Sequence, residues 1–202
     1  MAPSLRLRMS WRALGVLWSR TGWRSAGVFW AVAWRGLGGA PWRQLPKPVD
    51  AREAACRDMV GPVMLLDDAL AERMGADRGR AIVAEMVRES ALVQLASLVP
   101  GAEVSELRER PADQRESRLQ AIVQRFPNAT VGPLESGPSS FAYPVTRCAF
   151  VALCQATGRA DLARIFCAAD ALHFERNLEG VQFERPENLA DGGERCDFRF
   201  RW

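Results

Sequence analysis

Apolar residues recur at helical spacing over much of the chain before residue 127. Behind Asp50, Met59, Val63, Leu66, Leu70 and Met74 fall three to four residues apart, which makes one face of a helix. Asp50 is suited to cap that helix and Gly75 to stop it. Pro62 lies inside it, where it removes a backbone donor and should bend the axis. A second helix is predicted over about Arg78–Leu98, ended by Pro100-Gly101, and a third over about Ala112–Phe126, ended by Pro127-Asn128. From Thr130 the pattern changes. Turn residues cluster at Gly132-Pro133 and Gly137-Pro138, and Phe141-Ala142-Tyr143 reads as a short strand. Val145–Ala156 then reads as a helix closed by Gly158, and Ala160–Arg176 as another, with Leu162, Ile165, Phe166, Ala169 and Leu172 on its inner stripe. Two alternating segments end the chain. Val181, Phe183 and Arg185 share a face of the first, and Cys196, Phe198, Phe200 and Trp202 share a face of the second. Asp191-Gly192-Gly193 supplies a turn between them. Helices first and a hairpin last predict an α+β fold: a helical N-terminal half packed on a small antiparallel sheet that ends in a C-terminal β-hairpin.

Residues 1–49 have a separate character. They hold six of the seven tryptophans, at positions 11, 18, 23, 30, 34 and 42, several of them spaced for one face of a helix. They carry +8 with no acidic residue, whereas residues 50–202 carry −5, so the net +3 hides a split. Glycines at 36, 38 and 39 and prolines at 41, 46 and 48 separate this segment from the rest of the chain. We therefore expect a basic Trp/Arg arm and proline linker over 1–49, ahead of a single domain over 50–202 that folds without it. Two uses of the arm stay open. Its tryptophans pack on the protein's own core or on a second subunit of a homo-oligomer, or indoles and arginines together meet an anionic membrane surface. Nucleic acid is not the expected partner, because the acidic remainder would repel phosphate. The longest apolar run, Ala26–Trp34, is nine residues. A span needs about 20, and the start lacks the apolar stretch of a signal peptide.

The five cysteines, at 56, 148, 154, 167 and 196, form no disulfide framework by spacing and include no C-x-x-C pair. With His173 the only histidine, no structural metal and no cofactor are expected. The cysteine pattern points to a reducing, cytoplasmic setting, at the inner face of the membrane if the arm is a lipid-surface element.

The expected seat of chemistry is Ser139–Trp202. Cys167 and Asp170 stand three apart on one helix, at the edge of an apolar stripe where desolvation can raise a carboxyl's pKa. The bland alternative is a solvated aspartate beside a small buried thiol. Arg185 shares the face of Phe183, and an inward cation needs a carboxylate or an anionic ligand. Cys196 lies on the apolar face of the last strand and Asp197 on the opposite one. His173, one turn beyond Asp170, reads equally as a structural histidine or an acid–base group.

Thr146-Arg147-Cys148, Phe166-Cys167-Ala168-Ala169-Asp170, Phe183-Glu184-Arg185 and Gly192-Gly193-Glu194-Arg195-Cys196-Asp197-Phe198 together resemble the L-2-amino-thiazoline-4-carboxylic acid hydrolase family. The final pattern is also loosely similar to vinyl-reductase-type small-molecule-binding folds. The resemblance covers about Phe141–Trp202 well and the helices from Asp50 weakly, and Asn188 and Gly193 depart from it. It implies hydrolytic opening of a cyclic amidine thioether to an N-carbamoyl amino acid. Asp170 would then be the acid–base group, Cys167 and Cys196 nucleophile or pocket lining, and Arg185 the clamp on a substrate carboxylate, with Cys148, His173 and Asp197 as further substrate-binding candidates. The alternative function is a non-catalytic small-ligand-binding or accessory protein.

Overall fold

The computed structural model describes residues 3–202. Two long antiparallel helices, α3 (Ala51–Met74) and α4 (Ala76–Leu98), meet at Gly75, whose φ of 87° lets the chain reverse in one residue. Asp50 caps α3 by accepting from the Glu53 amide at 2.7 Å, which satisfies one of the unpaired donors of the first turn. The two helices approach so closely that a side chain at Gly79 would lie 2.7 Å from the Ala71 backbone nitrogen. The helix continues through Pro62.

Helices α1 (Pro3–Thr21) and α2 (Ser25–Gly39) lie against this pair, α1 on α4 and α2 on α3. Leu17 and Val28, each 1% exposed, join Leu70, Ile82 and Val83 in one apolar cluster. The ion pairs Arg20–Glu85 and Arg35–Glu72 bracket the contact. Trp42 packs over Gly61, where a Cβ would come within 2.7 Å of the indole. This N-terminal segment is thus attached through Trp42 and through aliphatic side chains such as Leu17 and Val28, while Trp11, Trp18, Trp23, Trp30 and Trp34 face outward.

Two shorter helices, α5 (Gly101–Glu109) and α6 (Ala112–Val123), lead into a sheet of five strands among the described residues: β1 (Ala129–Val131), β2 (Glu135–Ser136), β3 (Ser140–Cys148), β4 (Gln182–Glu184) and β5 (Cys196–Arg201). All pairings are antiparallel. β3 has β5 on one edge and β1 and β2 along the other, and β4 closes the far side of β5. The register places Phe141 opposite Phe200, Tyr143 opposite Phe198 and Val145 opposite Cys196. Period-two alternation therefore gathers the aromatics on one face. Phe141 and Phe200 stack at 4.3 Å, Tyr143 and Phe198 at 5.2 Å, and Phe174 meets Phe200 edge-on at 4.9 Å. Phe174 comes from α8 (Ala160–Asn177), which follows the short helix α7 (Ala149–Ala156) and packs on both α4 and β4. Buried Asp67 ties the layers by binding Arg80 at 2.7 and 2.8 Å and Arg159, just ahead of α8.

The helical half on a small antiparallel sheet, with hairpin-like C-terminal strands, is the α+β architecture expected from the pattern. Local boundaries differ. The predicted helix over Val145–Ala156 is strand as far as Cys148 and helix only from Ala149, so the short strand at 141–143 is the start of a nine-residue one. Pro144 is tolerated there because its carbonyl accepts from Gly132, at the register shift of β1. Its missing N–H faces an irregular edge where no donor is needed. Helix α5 was not predicted, and α6 stops at Val123 rather than Phe126.

Candidate active site

Helix α8, the sheet's aromatic face and α4 enclose a cavity of about 90 Å³. Five of the seven candidate residues border it: Cys148 at the end of β3, Cys167 and Asp170 on α8, Arg185 just past β4, and Cys196 at the start of β5. They converge because the inner face of α8 lies over β4 and β5, and because residue 185 continues the inward phase of Phe183. The wall also includes Gln94 and Leu98 of α4 and Asn128 ahead of β1. The site is therefore not confined to Ser139–Trp202, as the sequence pattern led us to expect.

Arg185 donates from Nη1 to Asp170 Oδ2 at 3.0 Å and from Nη2 to the Cys167 carbonyl at 3.1 Å, and its guanidinium carbon lies 5.6 Å from the Phe198 ring centre. These contacts fix the plane of the guanidinium as well as its charge. The Asp170 side chain retains 24% of its accessible surface. Burial nonetheless pushes its pKa up to about 6, past the opposing charge and hydrogen bond of Arg185. Burial also raises the Cys167 thiol, with a further push from the Asp170 charge. Cys196 is raised by burial as well, partly offset by the Leu189 amide that donates to its sulfur at 3.3 Å. Its thiol reaches Asn188 Oδ1 at 3.4 Å, which links the strand to the preceding loop. Cys148 receives the Asn128 amide at 3.6 Å.

Two candidates stand elsewhere. His173 is fully buried off the cavity wall, its Nε2 at 3.3 Å from the Val99 carbonyl and its Nδ1 at 3.2 Å from Asn177. Burial lowers its pKa, so it is held as a neutral ring. Asp197 lies on the opposite face of β5 and binds Arg199 at 2.6 Å. Tyr143, the chain's only tyrosine, is a wall residue that sequence reasoning passed over. Its phase between Phe141 and Val145 was the available signal. Burial, reinforced by the charge of Asp170, raises its pKa and keeps the hydroxyl protonated.

A family model described as L-2-amino-thiazoline-4-carboxylic acid hydrolase matches residues 59–200. The chain belongs to that family. No curated protein and no solved structure matches it. The hydrolase-family match begins inside α3, contains the whole of β1–β4 and α8, and ends within β5 at Phe200. Every charged group of the cavity wall thus falls within it, and α1 and α2 lie outside.

Proposed function

We propose that the protein is a small-molecule hydrolase that opens a cyclic amidine carrying a carboxylate, as in 2-amino-thiazoline carboxylic acids. The observation that carries this reading is the Arg185–Asp170 pair, the charged groups in the wall of a small, mostly apolar cavity. A buried pair of opposite charges suits a zwitterionic ligand, because the ligand's two charges can replace the partners one for one without leaving either unpaired. The amidinium then pairs with Asp170 and the carboxylate with the planar fork of Arg185.

Ring opening needs water at the amidine carbon. In this reading Asp170 accepts a proton from the water as the new C–O bond forms. Collapse of the tetrahedral adduct forms the carbonyl with release of the adduct's hydroxyl proton to solvent and breaks the ring C–S bond, and the departing sulfur takes up the proton held by Asp170, leaving a ureido acid with a free thiol. Water is favoured over a cysteine nucleophile because Cys167 and Cys196 are both pushed away from the thiolate form. The cavity is smaller than the ~150 Å³ that accommodates a benzene ring, so wall side chains must shift to admit substrate. The Phe150–Phe166 pair, 5.4 Å between ring centres, divides it from an apolar groove under α1 and is the natural place for that shift.

The groove favours the second reading, a binding protein for an apolar ligand, but that ligand would leave the ion pair without a role. Turnover of a panel of cyclic amidine acids, followed by the appearance of free thiol, separates the two. Wild type should convert members of the panel. Asp170→Asn, which keeps an acceptor oxygen for Arg185, should fold and lose roughly 10²- to 10⁴-fold in rate. Absence of turnover across the panel would put the binding reading ahead.

A further inference from the structure

Helix α2 presents its more apolar face to solvent. Ala26, Phe29, Trp30, Ala33, Trp34 and Leu37 recur at helical spacing on the outward side, with Trp30 75% and Trp34 74% exposed. The inward side holds the smaller Val28, Ala31 and Val32 alongside Ser25 and Arg35. On α1, Leu7, Trp11 and Trp18 form a second outward stripe, with Arg8 exposed beside it. Leu17 of α1 and Val28 of α2 reach the same internal cluster, so the faces opposite them both point away from α3 and α4. Exposed apolar residues are common singly, but a contiguous stripe of this kind marks a surface that meets something other than water.

The charges decide what that is. Of the eight cations in residues 1–49, Arg20 and Arg35 are ion-paired to the helices beneath. The other six (Arg6, Arg8, Arg12, Arg24, Arg43 and Lys47) make no ion pair among the described residues, and the segment holds no acid of its own. A second copy would bring the same unpaired cations to face these, whereas an anionic bilayer supplies countercharge and apolar depth together. Tryptophan suits the headgroup boundary, where its ring is buried and its N–H stays wet. No described helix is long and apolar enough to cross a membrane, so the surface would lie in the interface. We propose that the outward face of α1 and α2 is a docking surface for anionic phospholipid, holding the hydrolase-family domain at a membrane.

The test is flotation of the full-length protein with vesicles of phosphatidylcholine, alone or mixed with phosphatidylglycerol, while tryptophan emission is recorded. Binding should require the anionic lipid, shift emission to the blue, show quenching by brominated acyl chains and disappear as salt is raised to about 0.5 M. Arg8→Ser should weaken partitioning by roughly fivefold, and Trp30→Ser with Trp34→Ser should reduce the acyl-chain quenching to what Trp11 and Trp18 contribute. All three positions are exposed, so circular dichroism should remain that of wild type. No flotation with anionic vesicles at low salt would overturn the proposal. So would a lipid-free dimer that shields Trp30 and Trp34, which would make the face a contact between copies. Neither readout uses turnover, so the result is independent of the hydrolase reading.

Discussion

Asp170 sits where its proton can be counted. Burial holds its carboxyl near 6, well above the roughly 3.9 of a free aspartate. In the proposed mechanism Asp170 acts as a base and needs the ionised form, which is lost as pH falls through about 6. The kcat/KM of the wild type is therefore expected to fall roughly tenfold per pH unit below that point, and Asp170→Asn to lack this limb. The same shift has the opposite sign for stability. Between about pH 4 and pH 6 the folded chain binds more protons here than the unfolded one, so this group destabilises the fold as pH rises across that window. Chemical denaturation of Asp170→Asn at the two ends of the window should show that dependence reduced. The thiols give a second test. With burial raising Cys167 and Cys196, neither should alkylate at neutral pH faster than an unperturbed thiol, and Cys167→Ser and Cys196→Ser should each keep activity within about tenfold of wild type. A fast-reacting cysteine whose loss abolishes turnover would move the mechanism to covalent catalysis. At this scale the sequence was most informative where an inward charge interrupted an apolar phase. Arg185 beside Phe183 was legible for that reason. The position of Asp197 on the far face followed from strand alternation alone, while the isolation of His173 depended on how α8 rolls against Val99.

Helix boundaries were readable where a capping residue and a terminator coincided, as with Asp50 and Gly75 around α3. β3 was not, because Pro144 reads as a break until the register shift in β1 shows why no donor is needed there. The seven-residue spacing of the tryptophans correctly indicated helices in the first 49 residues. Nothing local revealed that Leu17 and Val28, rather than the indoles of α1 and α2, would face inward. That choice depends on the apolar surface that α3 and α4 leave uncovered at Leu70, Ile82 and Val83. It also carries an energetic expectation. Leu17→Ala should reduce stability by about 2–5 kcal/mol in thermal or denaturant unfolding. Removal of residues 1–49 should lower the unfolding temperature further by exposing that cluster to water. Unchanged stability in both would mean that the helices rest on the domain without contributing to its core.

Across the whole molecule, one layer faces outward with unpaired positive charge and indole, and the other holds the Asp170–Arg185 ion pair in a mostly apolar wall. The second arrangement carries the central claim, that Asp170 and Arg185 hold each other until a zwitterion takes their place. Most family-level features that imply a hydrolase are shared by a simple binding cavity. The exchange of partners is not, because it makes both ends of the substrate necessary. The most direct measurement compares kcat/KM for a 2-amino-thiazoline carboxylic acid with that for the same ring lacking the carboxylate, in wild type and in Arg185→Ala. Wild type should prefer the acid by roughly 100-fold or more, the scale expected when one partner of a buried charge pair goes unmet, and Arg185→Ala should fold and lose most of that preference. A wild type that turns over both rings equally, or a variant that discriminates as well as wild type, would contradict the account.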